Sequence, residues 1–414
     1  MFFILSLIIL VFAIIFLPKE NIRFINKEIV FLQWWSNEAF GENLRSIIKD
    51  FERDNPGIKI KLQTVDISQV HDTLDKLIKE TDAQSDSKKP DIAAFDPMWF
   101  DSIEKINLFE NLAPYFSSQE NINNINIDGN NAELGAYINL LYYNITTLQN
   151  SGFNKPPKTY EEFSAYCKKL KDRNNEAFYL TPNYFAEMMP WIVLSGADFS
   201  VSDGADFDWT SKKIAPVLDF FAKLNEENLI VFSGDDFDYD KKIQNFYAGK
   251  IPMMIAPSYE VTRINAKNPK INFSVTTIPH SGDNQIGTAF IAENRNIAML
   301  TSSKNKTEAS VFIRYIMERK AEIFAEKTNI WNQGSNQGIA ESESESVNSA
   351  KDTAYAKIKG MEETGETISL PKIFKKPQSI ETIFNEEITE MLKTQRGGKL
   401  TAAEIQKRYL EITQ

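Results

Sequence analysis

The stretch from Glu28 to Phe95 constrains the fold most, because strand and helix patterns alternate along it. Glu28–Trp35 (EIVFLQWW) is rich in β-branched and aromatic residues and runs into the polar loop SNEAFGEN. Asn43–Arg53 then carries Leu44, Ile47, Ile48 and Phe51 at helical spacing. The turn Asp54–Gly57 leads to Ile58–Val65, where apolar and polar residues alternate as in a half-exposed strand. An amphipathic helix is expected over Val70–Thr81, a polar loop over Thr81–Pro90, and a short buried strand at Asp91–Phe95. This β-α-β-α-β order predicts a doubly wound α/β sheet. Ligands of such sheets sit at the carboxyl ends of the strands. Here those ends are WWSNE (34–38) and DPMWF (96–100).

At 414 residues the chain is too long for one core and suits two lobes. Further along, Asn121–Asn131 reads as an Asn-rich surface loop and Tyr137–Asn144 as a strand. Pro156 and Pro157 interrupt the chain, and Thr159 with Glu162 forms a capping box that starts a helix. Helices are expected over Ile214–Asn225, Lys241–Ala248 and Glu308–Lys327. Strands are expected at Ile251–Ile255, Asn272–Ile278 and Ala289–Leu300. Glu341–Ser349 is a polar, exposed segment, and a second capping box, Thr401 with Glu404, is expected to start the terminal helix. No repeat of solenoid period is present.

Several chemistries are disfavoured by composition. The net charge is −11, from 46 basic and 57 acidic residues, so a nucleic-acid partner is not expected. The single cysteine, Cys167, sits in an amphipathic helix pattern and reads as a half-buried structural thiol. His71 and His280 are too few for a Cys/His zinc site, and neither lies in a triad motif, so both are expected at the surface. The acidic loop Asp235–Asp240 lacks the central glycine and terminal glutamate of an EF-hand and reads as solvated. No metal or other cofactor is expected.

At the N-terminus, Phe2–Leu17 is an apolar run broken only by Ser6. It is short against the about 20 residues of a relaxed membrane span and suits a signal-peptide core. No basic residue precedes it and no A-x-A-like site follows it, so it reads as an uncleaved anchor or a poorly matched signal. Lys19, Arg23 and Lys27 lie just after it.

Six segments, in order, resemble the ABC-importer solute-binding proteins of the maltose- and glycerol-phosphate-binding type. They are IVFLQWWS with FERDNPGIKIKLQTV, PDIAAFDPMWF with ENLAPYF, LLYYNITTLQNSGFNKPPKTYEEF, FYAGKIPMMIAPSYE, SKNKTEASVFIRYIM and GGKLTAAEIQKRYLEI. The resemblance implies a type II periplasmic-binding-protein fold with a hinge between two α/β lobes. The chain would cross near Tyr137–Leu141, return near Pro279 and cross again near Trp331. One lobe would comprise 27–138 plus 279–330 and the other 139–278 plus 331–414, after a signal or anchor at 1–26.

The resemblance also implies a ligand between the lobes, a membrane permease as partner, a monomer, and a location outside the cytoplasmic membrane. The ligand-facing candidates it implies are Ser36, Asn37, Glu38, Asp96, Trp99, Trp191, Ser258, Tyr259, Glu260, Gly287, Thr288 and Trp331. A neutral sugar suits them: its hydroxyls need groups that both donate and accept, and its C–H faces need flat rings. A phosphorylated solute would call for arginines, and Arg263 is the nearest. Core packing is the alternative for Trp34, Trp99 and Trp191, with Trp34 turned away from Trp35 by strand alternation. A helix N-cap is the alternative for Asp96. The approach to the crossing strand and the segment WNQGSNQGIA depart from the family pattern, which leaves the solute open. An anchored sensor, a clamp that no longer binds, and a carbohydrate hydrolase are the other readings. The hydrolase needs two carboxylates about 5 to 9 Å apart, and no motif supplies them.

Overall fold

The computed structural model describes residues 27–35, 41–65, 67–79, 89–101, 107–116, 126–172, 176–181, 183–199, 206–232, 239–281, 289–323, 354, 356–358, 361, 366–369 and 373–414. The apolar run Phe2–Leu17 and the polar segment Glu341–Ser349 lie outside them. So do six of the twelve ligand-facing candidates: Ser36, Asn37, Glu38, Gly287, Thr288 and Trp331.

The alternating N-terminal pattern folds as expected: β1 (Lys27–Gln33), α1 (Gly41–Asp54), β2 (Ile58–Thr64), α2 (Ile67–Lys79) and β3 (Ile92–Phe95). β1 lies between β2 and β3 and is parallel to both. A buried carboxylate fixes this layer. Asp91 accepts from the Val30 N–H at 2.9 Å and from Ser303 Oγ at 2.6 Å.

The chain continues through β4 (Asn126–Asp128), β5 (Asn131–Asn144), α3 (Ile145–Asn150), α4 (Tyr160–Lys171), β6 (Tyr179–Leu180), α5 (Tyr184–Leu194), α6 (Ala215–Glu226) and β7 (Val231–Phe232). It then forms α7 (Tyr239–Tyr247), β8 (Met253–Pro257), α8 (Glu260–Lys267), β9 (Phe273–Thr276), β10 (Ala289–Met299), α9 (Lys306–Glu318), α10 (Lys320–Ile323), β11 (Glu366–Ser369), α11 (Pro377–Thr394) and α12 (Gly398–Thr413). The sheet runs β2-β1-β3-β10-β5-β4, with β11 on β10 and with β8 and β9 on β5.

β5 changes partners along its length. Its first part pairs with β4 and β10, and its last part, from Asn139, pairs with β8 and β9. Its alternation divides two cores. Leu141 and Tyr143 enter a cluster with α4, α5, α6, α11 and α12, and Leu140 and Tyr142 enter another with α7 and α8. A third cluster fills β1, β3 and β10 against α1 and α9, where Phe51 meets Phe312 edge-on at 5.0 Å.

Four expectations change. The Asn-rich loop contains β4, which reverses through Gly129 (φ +53°) onto β5. Pairing to a long neighbour overrides the weak strand preference of asparagine. The long helix of 308–327 starts at Lys306 and breaks at Arg319, whose guanidinium lies 3.8 Å from the Tyr315 ring centroid. The first capping box forms in part: Thr159 Oγ1 accepts from the Glu162 N–H at 3.2 Å, but Glu162 Oε2 accepts from the Lys158 N–H at 2.6 Å. The second does not form, because α12 begins earlier and Thr401 lies buried inside its first turn. The start is fixed from outside the helix, by Asp219 Oδ1 accepting from the Gly398 N–H at 2.5 Å.

Gly398 is required there. A Cβ would lie 2.4 Å from the Ala215 carbonyl oxygen and 2.8 Å from the Asp219 nitrogen, both backbone atoms. Gly398→Ala is therefore expected to destabilise the protein by about 1–3 kcal/mol, despite alanine's better helix propensity. A urea titration checks this, with a lowered midpoint at unchanged slope.

Cys167 is fully buried in α4, not half-buried, and burial pushes its thiol up in pKa. The thiolate is the reactive form. A disulfide reagent at pH 8 is expected to leave the folded protein unlabelled and to label it once after denaturation.

Candidate functional site

Aromatic rings stand at the carboxyl ends of β1, β3 and β8. β1 stops at Gln33, so strand alternation no longer governs Trp34 and Trp35. Both are buried, edge to face at 5.8 Å, and Trp34 reaches the Trp99 ring at 5.5 Å. Trp99 is half-buried and closes the turn Pro97–Trp99. The His71 ring contacts it from α2 at 5.4 Å, and the histidine stays partly exposed, with Asp75 3.9 Å from its Nε2. Tyr259, after β8, is half-buried and packs against the same cluster as Trp34 and Trp99.

Asp96 caps that turn: its Oδ1 accepts from the Met98 N–H at 2.9 Å, and Pro97 takes the first position, where a proline lacks nothing. Two neighbours of the patch went unread in the sequence because they lie in a run taken for an apolar strand. The pairing of β10 with β5 shifts register between Arg295 and Asn296. Such a bulge re-aims side chains. The Arg295 guanidinium, fully buried, lies 5.0 Å from the Tyr259 ring centroid. Asn296, opposite Phe95, is buried with no hydrogen-bond partner for its Nδ2 among the described residues. A charged residue inside an apolar strand pattern was the available signal.

Other expected site residues take different places. Trp191 is fully buried in a helix core, between Phe163 at 5.2 Å and Phe221 at 5.2 Å. Its helix α5 is apolar on nearly every side, which draws the ring inward. Glu260 is turned into the interior, accepting from the Tyr239 hydroxyl at 3.1 Å and from Arg263 at 3.4 Å. Arg263 is committed to Asp240 at 2.5 Å as well. Burial works against its charge, but these carboxylates outweigh burial and push its pKa up. Ser258 is fully buried; its N–H donates to the Ile138 carbonyl at 2.8 Å, and its Oγ has no hydrogen-bond partner among the described residues.

The arrangement offers flat rings beside an amide, a carboxylate and a guanidinium. Among the described residues, no group of three or more His, Cys, Asp or Glu is placed to hold a metal, and no helix is long and apolar enough to cross a membrane.

The fold is that of the type II periplasmic binding proteins. The receptor GacH of Streptomyces glaucescens, solved unliganded and with acarbose, superposes with a TM-score of 0.71 at 14% identity, covering 93% of this chain and 97% of that one. The maltose/maltodextrin-binding domain of Bdellovibrio bacteriovorus bound to maltotriose gives 0.70 at 15% identity, covering 93% and 99%. An ABC substrate-binding protein of Listeria monocytogenes in complex with cycloalternan gives 0.70 at 15%, covering 93% and 98%. The profile of the bacterial extracellular solute-binding proteins matches residues 34–323, and the chain belongs to that family. The family is one of binding proteins.

Proposed function

We propose that this protein is the extracytoplasmic solute-binding component of an ABC importer, taking up a sugar or oligosaccharide and handing it to membrane permease subunits. The observation that carries the reading is the Trp34–Trp99 patch with Tyr259, set at the carboxyl ends of three strands. Sugar C–H faces stack on such rings, and hydroxyls pair with nearby amide and charged groups. The carbohydrate ligands of the similarly folded proteins support the same class. Arg263 is already paired with two carboxylates, which speaks against its holding a phosphate.

In this reading the lobes are 27–138 plus 279–330 and 139–278 plus 331–414, joined by a hinge through β5. Closure around the solute follows the hinge mode of periplasmic binding proteins. The protein binds without catalysis, acts as a monomer and works outside the cytoplasmic membrane, with Phe2–Leu17 as its signal or anchor.

Isothermal titration with mono- and oligosaccharides tests this. Saturable binding of one carbohydrate class at one site per chain is expected. Binding of a glycerol phosphate or amino acid, with no carbohydrate bound, would overturn the assignment of solute class.

A further inference from the structure

We propose that Asp101 is a positioning residue of the site: it caps a helix of the opposite core and thereby latches the Asp96–Trp99 wall in place. The helix concerned is α11, which lacks a cap of its own. The residue before it is Lys376, whose side chain makes no capping hydrogen bond and cannot accept one. The acceptor comes instead from far away in sequence. Asp101 Oδ1 accepts from the Ser379 N–H at 2.8 Å, and its Oδ2 accepts from the Ser379 hydroxyl. A carboxylate there also meets the positive end of the helix dipole.

The partners belong to different cores. Phe100, beside Asp101, lies in the cluster of β1, β3 and β10, whereas Ile380, beside Ser379, lies in the cluster of α5 and α11. The intervening turn straddles both: Trp99 packs against the first and Met98 against the second. Asp101 is two residues from the ring that the solute would meet. A motion that parts the cores at the site must therefore strip the α11 N-terminus of its acceptor. The cap favours the arrangement in which both cores wall the site, and so favours the ligand-holding state.

The affinity arm of this proposal rests on the carbohydrate reading; the geometric arm does not. The test uses the full chain with spin labels at Lys49→Cys and Lys399→Cys. Both positions are exposed, on α1 and α12, and the native cysteine is buried. Asp101→Ala is expected to lengthen and broaden the label-to-label distance without any ligand. It should weaken maltotriose binding about three- to tenfold, in line with loss of one N-cap. Asp101→Asn retains a capping oxygen and should restore both readouts. An unchanged distance distribution in Asp101→Ala would overturn the latch, as would an asparagine variant as altered as the alanine one. If the wild type does not bind maltotriose, the fault lies with the choice of solute, and the distance distributions still decide the latch.

Discussion

Lys242→Met is expected to cost the fold about 3–5 kcal/mol, because it leaves a carboxylate buried without its counter-charge. Lys242 and Glu187 are both almost wholly buried, and Nζ lies 2.5 Å from Oε1. The ammonium also donates to the Ile255 carbonyl at 2.8 Å, and the Thr181 hydroxyl donates to the same Glu187 oxygen at 2.7 Å. The other oxygen, Oε2, has no hydrogen-bond partner among the described residues. With the lysine gone, one hydroxyl must hold the charge, so the group must either take up a proton or draw in water. The double variant Lys242→Met with Glu187→Leu removes both charges and is expected to regain most of the loss, since apolar replacement of a buried pair is often close to neutral. Urea unfolding of the two single variants and the double variant gives the coupling directly. Equal losses in Lys242→Met and in the double variant would contradict the account.

Two tryptophans should separate folding from binding. Trp191→Ala empties a fully enclosed ring position and is expected to destabilise by about 3–5 kcal/mol. Trp99→Ala removes a half-buried ring at the site and is expected to lower solute affinity by about 30-fold or more, the scale of a binding hot spot. Trp99→Phe should recover part of that loss. Calorimetric titration together with urea unfolding of each variant checks this. A Trp191→Ala protein with native stability but no binding would return Trp191 to the site.

Much of the architecture was legible from the order of residues. The strands and helices from Glu28 to Phe95 announced themselves through alternation and helical stripes, since one face of each element must be apolar to pack. The same holds for α4, α6, α7, β8 and β9. What escaped reading depends on partners distant in sequence. β4 is a strand only because β5 lies beside it, and α12 starts at Gly398 only because Asp219 reaches it. The Glu187–Lys242 pair spans two helices in which each residue alone looks like an ordinary solvated charge.

The site divides in the same way. Trp99 and Asp96 were named from the end of the third strand, where the structure uses Asp96 as a cap, and Tyr259 was named by likeness to the family. Trp34, for which core packing was the alternative, lies buried against Trp35 and Trp99, because β1 ends at Gln33 and strand alternation stops there. Trp191 was placed by likeness to the family, while its local pattern, an almost uniformly apolar helix, already pointed inward. Arg295 and Asn296 depend on a bulge that no short-range pattern specifies.

The central claim is that the aromatic patch at the strand ends holds a carbohydrate. The most direct measurement is the melting temperature of the purified protein against mono- and oligosaccharides, polyols, glycerol phosphates and amino acids. A solute at 100 times its dissociation constant adds about 2.7 kcal/mol to the folded state, enough for a clear rise. The account predicts a rise with one carbohydrate class, absent in Trp99→Ala. A flat response to every carbohydrate, or a rise that persists in Trp99→Ala, would contradict it.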